Sequence, residues 1–213
     1  MDRILDFLLN LAWTLPAVMI ALSFHEYAHG LVAYKLGDST AKLLGRLTVN
    51  PFRHIDPVGM IAMAILHFGW AKPVPVDPRN FRRPRRDMAI VAAAGPVMNV
   101  LLCAVCIFIF YVIKRYAASN RFFDAMAQFF AITAMLSAGF AVFNLIPLPP
   151  LDGSRILMLV LPQKANMFLV RNARYTQLLL LVLIYTRILS VPLSIARDWI
   201  ISNIETAVRW IVL

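Results

Sequence analysis

Three long stretches without a charged residue dominate the pattern of polar and apolar positions: residues 7–24, 88–113 and 125–151. A run of about 18–20 apolar residues is long enough for a helix to cross the hydrocarbon layer of a bilayer. Most of the charged residues gather between these runs. The pattern therefore predicts membrane-spanning helices joined by polar loops.

Proline, glycine and charged residues set the expected helix boundaries. The first helix is expected over residues 5–35, where Pro16 would allow a kink and Gly37 would end the helix. The third apolar run is broken by Pro147, Pro149 and Pro150. A short helix is expected to follow this break at residues 153–161. The remaining spans are expected at residues 88–113 and 175–191.

The last stretch of the chain, from residue 193 onward, differs from the apolar runs. Its polar residues fall at spacings of four, three and four: Asp198, Ser202, Glu205 and Arg209. Such spacings place them on one face of a helix. We predict an amphipathic helix that lies in the membrane interface, with a returning span as the alternative.

Residues 38–87, between the first two spans, are irregular in pattern. Residues 43–49 have strand-like character, and residues 57–71 form an uncharged run that is short for a span and is better interpreted as re-entrant. The fold predicted is an all-α polytopic membrane protein with about four transmembrane helices, one of them broken, a small β or re-entrant region and a C-terminal amphipathic helix. We expect one membrane-embedded domain over residues 1–213, with its core at 5–162 and accessory helices at 175–213.

Composition agrees with a membrane location. Hydrophobic residues make up 61% of the 213 residues and charged residues 15%, against roughly 45–50% and 25% in ordinary globular chains. So few charges could not cover so apolar a core in water. The composition therefore excludes a water-soluble enzyme and a disordered chain.

The net charge of +10 comes from 21 Lys and Arg against 11 Asp and Glu. Ten of the basic residues lie in residues 35–86 and four more in residues 155–174. Basic residues in short loops mark the cytoplasmic side of a membrane. We therefore interpret them as topology signals and not as a nucleic-acid surface. Loop 35–86 is predicted to be cytoplasmic and the N-terminus outside.

The sequence HEYAH lies at the end of the first predicted helix. Residues four apart share a helix face, so His25 and His29 can point at one ion. Glu26 lies beside them, where it could accept a proton from a water activated by that ion. This HExxH pattern is a zinc-protease signature. Polar side chains are costly inside a membrane and indicate a functional site there, the alternative being a polar cluster that bonds helices together.

Asp152 is a second polar residue at membrane depth. It follows the proline break in NLIPLPPLDG, and such breaks persist where they line a polar site. His25 lies ten residues before Lys35 and Asp152 twelve before Lys164, so both lie roughly 15–18 Å from the cytoplasmic side. A helix N-cap is the simpler interpretation of Asp152 alone, but the shared depth favours a common site.

Five motifs in order along residues 20–160 resemble the site-2 protease family of intramembrane zinc metalloproteases: HEYAH, NPFRHIDPVG, GWAKPVPVDPRNFRRPRRD, AAGPVMN and NLIPLPPLDG. The closest resemblance is to compact prokaryotic members without PDZ or CBS domains, and it implies a location in the inner membrane of a prokaryote. The resemblance implies one catalytic Zn²⁺, transmembrane protein substrates and cleavage near the cytoplasmic face.

The same resemblance assigns roles to residues. His25, His29 and Asp152 would bind zinc, and Glu26 would be the general base. Asn144 matches a family asparagine that aligns substrate near the metal. Gly95, Pro96 and Asn99 match the family motif GPxxN, and we predict both Asn144 and Asn99 as substrate-binding residues.

Two other classes of function remain open from the sequence. A membrane metal carrier or transporter could use the same ligands without proteolysis, although it would be expected to hold more than one intramembrane polar site. A catalytically silent adaptor would usually lack one of the four key groups, all of which are present.

Overall fold

The computed structural model describes residues 2–54, 56, 58–59, 62, 72–118 and 120–212, with side chains from residue 11 onward. This described part is helical: α1 is Asp2–Lys35, α2 Thr40–Leu43, α3 Pro84–Tyr116, α4 Arg121–Asn144, α5 Asp152–Val160, α6 Gln163–Arg171, α7 Ala173–Tyr185 and α8 Ser190–Val212. Single 3₁₀ turns form at Pro51–Arg53 and Pro78–Asn80. The predicted re-entrant run 57–71 lies almost wholly outside the described residues.

Helix α3 is the centre of the bundle, because α1, α4, α5 and α8 all pack against it. Small side chains line its first half, where Ala89, Ala92 and Gly95 are buried. Small residues let membrane helices approach closely. In its second half, Cys103 and Cys106 pack with residues of α4 and α8. The result is a bundle in which the first half of α3 faces α1.

Two described helices, α3 and α4, are long and apolar enough to cross a membrane. A third span is present if α6 and α7, which meet at an angle of 69°, count as one broken span. The prediction of about four spans stays a prediction. The helix expected at residues 175–191 ends earlier, because α7 stops at Tyr185 and Arg187 has a φ of +58°.

The break predicted in the third apolar run is present. Helix α4 ends at Asn144 and α5 begins at Asp152, since the three prolines between them cannot continue a helix. Gly153 packs directly on the main-chain carbonyl of Leu145, leaving no room for a Cβ atom. This contact closes the turn and fixes Asp152 at the start of α5.

The strand predicted at residues 43–49 is wrong. Leu43 belongs to the short helix α2, and Gly45 ends that helix with a φ of +64°. The N–H of Arg46 bonds back to the Ala41 carbonyl at 2.8 Å. The helix end therefore uses the backbone groups that a strand would have offered to a partner.

Asp38 joins the end of α1 to the segment that precedes α3. The α1 helix stops at Gly37, as predicted, with a φ of +111°. The fully buried Asp38 carboxylate accepts hydrogen bonds from Thr40, from the Asn80 amide at 2.7 Å and from the Asp77 N–H at 2.8 Å. Burial raises the pKa of Asp38, but these hydrogen bonds outweigh it and hold the pKa below its usual value.

We predict that Asp38→Asn destabilises the protein by about 2 kcal/mol or more at pH 7, because an amide cannot accept all of these bonds. The pKa of Asp38 is lower in the folded state, so its stabilisation is complete above about pH 4 and is lost as the pH falls through the folded value. Thermal unfolding in detergent at pH 7 and pH 3 should therefore show a smaller gap between wild type and variant at the acidic pH.

The control is Asp198→Asn, because Asp198 is exposed and pairs with Arg197 at the surface. That change should stay within about 0.5 kcal/mol of wild type. Equal stability of Asp38→Asn and wild type at pH 7 would contradict the role of Asp38.

Candidate metal centre

Two histidines of α1 face the interior of the bundle. His25 and His29 are buried, and their Nε2 atoms lie 3.0 Å apart. They meet because residues four apart on a helix lie one above the other. Helix α1 thus places both imidazoles on one face, as the spacing in the sequence predicts.

Asp152 completes the cluster from the start of α5. Its Oδ2 atom lies 3.1 Å from His25 Nε2 and 3.2 Å from His29 Nε2. Among the described residues, these three form the group of His, Cys, Asp or Glu side chains able to share a metal ion. The break between α4 and α5 therefore brings together ligands that are more than 120 positions apart in the chain.

The donor set fits a zinc ion. Zinc is held by imidazole nitrogen and carboxylate oxygen at about 2.0–2.2 Å, and tetrahedral bonds of that length separate ligand atoms by roughly 3.3 Å. The separations of 3.0–3.2 Å observed here are close to this value. Three protein ligands also leave a fourth position for water or substrate, as in catalytic zinc sites.

Helix α3 contacts the Nδ1 atoms of both histidines. His29 Nδ1 donates to the Val91 carbonyl at 2.7 Å, because a carbonyl can only accept. In the neutral imidazole the Nε2 atom then carries no proton and is available as a ligand. Asn99 lies against the other histidine, with its amide nitrogen 3.2 Å from His25 Nδ1.

Gly95 lets α3 come this close. A Cβ atom at this position would lie 2.5 Å from both His25 Cε1 and His29 Nε2. Carbon atoms need about 3.5–4.0 Å. Any side chain larger than hydrogen would therefore push the imidazoles apart or drive α3 away from α1.

The carboxylate of Glu26 is held by a main-chain group that lies outside the cluster of His25, His29 and Asp152. Its Oε2 atom accepts a hydrogen bond from the Val74 N–H at 2.7 Å. Val74 lies in the extended stretch 72–77, which Asp38 ties to the end of α1. The orientation of Glu26 thus depends on a segment outside the helices that hold the ligands.

The two predicted substrate-binding asparagines occupy different surroundings. Asn144 is partly exposed at the end of α4, and its amide donates to the Phe140 carbonyl at 3.0 Å. Asn99 is fully buried beside His25. Their parts in substrate binding stay predictions.

Sequence reasoning missed the Val91 carbonyl and the Val74 N–H. Both are main-chain groups, so no side chain reveals them. Asp38 carried a weak signal, as an acidic residue directly after the glycine that ends α1.

The fold and the site together define a class: a membrane-embedded zinc metalloendopeptidase. The model of peptidase family M50, the site-2 protease family, matches residues 13–186, and the chain belongs to this family. The resemblance read from the motifs is therefore confirmed, as are the enzyme class and the use of zinc, and the chain is an integral membrane protein.

Curated relatives agree with this assignment. The chain is 39% identical over 189 residues to a Bacillus subtilis (strain 168) protein named as the zinc metalloprotease YwhC, covering 87% of this chain and 86% of that protein. It is 27% identical over 176 residues to Rip2 of Mycolicibacterium smegmatis, also named as a zinc metalloprotease, covering 79% of this chain and 64% of that protein. No solved structure gives a significant match.

We predict that Gly95→Ala lowers zinc content to well below one ion per chain and abolishes peptidase activity, because the added methyl group collides with both imidazoles. Zinc in the purified protein is measured by mass spectrometry. Gly139→Ala in α4 is the matched control, since its Cβ atom would meet nothing nearer than Arg197 Cδ at 4.0 Å. Full zinc content in Gly95→Ala would contradict this account of the close approach.

Proposed function

We propose that this chain hydrolyses peptide bonds of transmembrane protein substrates near the cytoplasmic face of the membrane. His25, His29 and Asp152 are the proposed zinc ligands, and Glu26 is the proposed general base. The observation that carries the proposal is the buried cluster of three ligand atoms with Glu26 adjacent to it in α1. Family membership supports proteolysis over the carrier and the silent adaptor, because relatives across most of the chain are named as proteases.

When bound, zinc supplies a Lewis acid that polarises the scissile carbonyl and makes a water molecule a better nucleophile. Glu26 accepts the proton of that water through its carboxylate and later passes it to the leaving amine. The Val74 N–H holds Oε2, so that Oε1 is left to exchange the proton.

A transmembrane substrate hides its peptide bonds within helical hydrogen bonds. The substrate helix must therefore unwind locally before hydrolysis. Asn144 is proposed to help align the unwound segment, supported by its position at the end of α4, where the helix breaks just before Asp152.

The proposed topology has loop 35–86 in the cytoplasm and the N-terminus outside, in a prokaryotic inner membrane. One contact supports it: Arg85 donates to the carbonyls of Met158 and Leu161 at the end of α5. Two regions assigned to the same side by their charge thus touch. We further propose a single membrane-embedded domain over residues 1–213, supported by the packing of α8 on α3 and α4.

We predict that Glu26→Gln abolishes cleavage while zinc remains bound, because glutamine keeps the shape of the side chain but cannot take a proton. Loss of general-base catalysis typically costs about 10²–10⁴-fold in rate. Proteomics of membrane-protein fragments, comparing cells that express wild type or variant, measures activity and identifies substrates together.

Zinc content of the purified Glu26→Gln protein is the control, and it should match wild type. Identical fragment patterns from both proteins would contradict the assignment of Glu26 as the general base. Zinc uptake into liposomes by both proteins, with no fragments from either, would instead support the carrier.

We also predict that Val74→Pro slows cleavage by roughly tenfold or more, because proline lacks the N–H that holds Glu26. Val74→Ala keeps that N–H and is the matched control, with an expected rate within a few-fold of wild type. Both variants should retain zinc, since the N–H of residue 74 binds Glu26 and not one of the proposed ligands. Equal rates in the proline and alanine variants would show that this hydrogen bond does not matter.

A further inference from the structure

We infer that Asn99 is a positioning residue, which holds His25 with Nε2 directed at the metal. This inference rests on the proposed zinc site. It differs from the substrate-binding role that the motif resemblance implied for Asn99.

The surroundings of Asn99 carry the first step. The side chain is fully buried in α3, and its amide lies 3.2 Å from His25 Nδ1. The other ring nitrogen of His25 faces Asp152 and His29. Asn99 is therefore in contact with the far side of a proposed ligand, where no substrate can reach it without displacing α3.

The protonation of a metal ligand carries the second step. A histidine that binds metal through Nε2 has its proton on Nδ1, so this atom must donate. The amide of asparagine can turn by half a rotation and offer Oδ1 as the acceptor. Asn99 Oδ1 has no hydrogen-bond partner in its present orientation, so the rotation breaks no hydrogen bond of this oxygen.

The spacing along α3 carries the third step. Val91, Gly95 and Asn99 recur every four residues and so lie on one face of the helix. Val91 supplies a carbonyl to His29 Nδ1, Gly95 permits the close approach, and Asn99 reaches His25 Nδ1. One face of α3 therefore fixes both histidines, but only the contact with His25 uses a side chain.

Partners of this kind hold the ring and the tautomer of a ligand, and their loss typically weakens metal affinity about 10–100-fold. The experiment measures zinc affinity of the purified full-length protein by competition with a chelator. It also compares absorption spectra of the Co²⁺-substituted proteins. Asn99→Leu keeps the size of the side chain without an acceptor, and Asn99→Asp keeps the acceptor.

The expected result is a 10–100-fold loss of zinc affinity and an altered Co²⁺ spectrum in Asn99→Leu. Asn99→Asp should stay within a few-fold of wild type. Wild-type affinity in Asn99→Leu, with a change confined to the KM for substrate, would overturn the inference. If Asn99→Leu fails to fold, Asn99→Asp decides alone, because a large loss of affinity in that variant also overturns it.

Failure of the inference can be told apart from failure of the proposed function. If wild type binds zinc but Glu26→Gln still cleaves, the proposed catalytic role falls and the assignment of Asn99 is unaffected. If wild type binds no zinc, both the proposed function and the inference about Asn99 are contradicted.

Discussion

The rest of the structure depends on the enclosure of two buried imidazoles and a partly buried carboxylate within a bundle of apolar helices. Such groups are costly within a membrane unless they pair with one another or with an ion. The ligand atoms of His25, His29 and Asp152 lie within 3.2 Å of one another, so a single cation between them would satisfy all three at once. The close packing of α3 on α1 and the broken junction of α4 and α5 both serve this arrangement.

Each of these features requires a residue with little or no side chain. Gly95 brings α3 against the imidazoles, and Gly153 seats the start of α5 on the Leu145 carbonyl. The motifs GPxxN and LDG therefore contribute close packing through their glycines as well as polar side chains. Their glycines occupy places where any Cβ atom would collide with the site or with the turn that supports it.

The cluster of His25, His29 and Asp152 could be predicted from the sequence because helical spacing alone aligns the two histidines, and because a proline break marks Asp152. The spans α3 and α4 could be predicted from their uncharged runs. The strand predicted at residues 43–49 is absent. Whether a short segment forms a strand depends on a pairing partner, which the local sequence pattern does not reveal. The contacts of the Val91 carbonyl with His29 and of the Val74 N–H with Glu26 could not be predicted, because main-chain groups carry no signal in the sequence.

The three proposed ligands and the proposed base Glu26 are held in place by different contacts. The proposed ligands lie on helices α1 and α5, which pack against α3, whereas Glu26 is oriented through the Val74 N–H of an extended segment. That segment is anchored by Asp38, whose carboxylate binds the Asp77 N–H and the Asn80 amide. The proposed metal ligands and the proposed base are therefore held by separate contacts. A change at Asp38 can therefore alter the contact that holds the Glu26 carboxylate, although Glu26 shares α1 with His25 and His29.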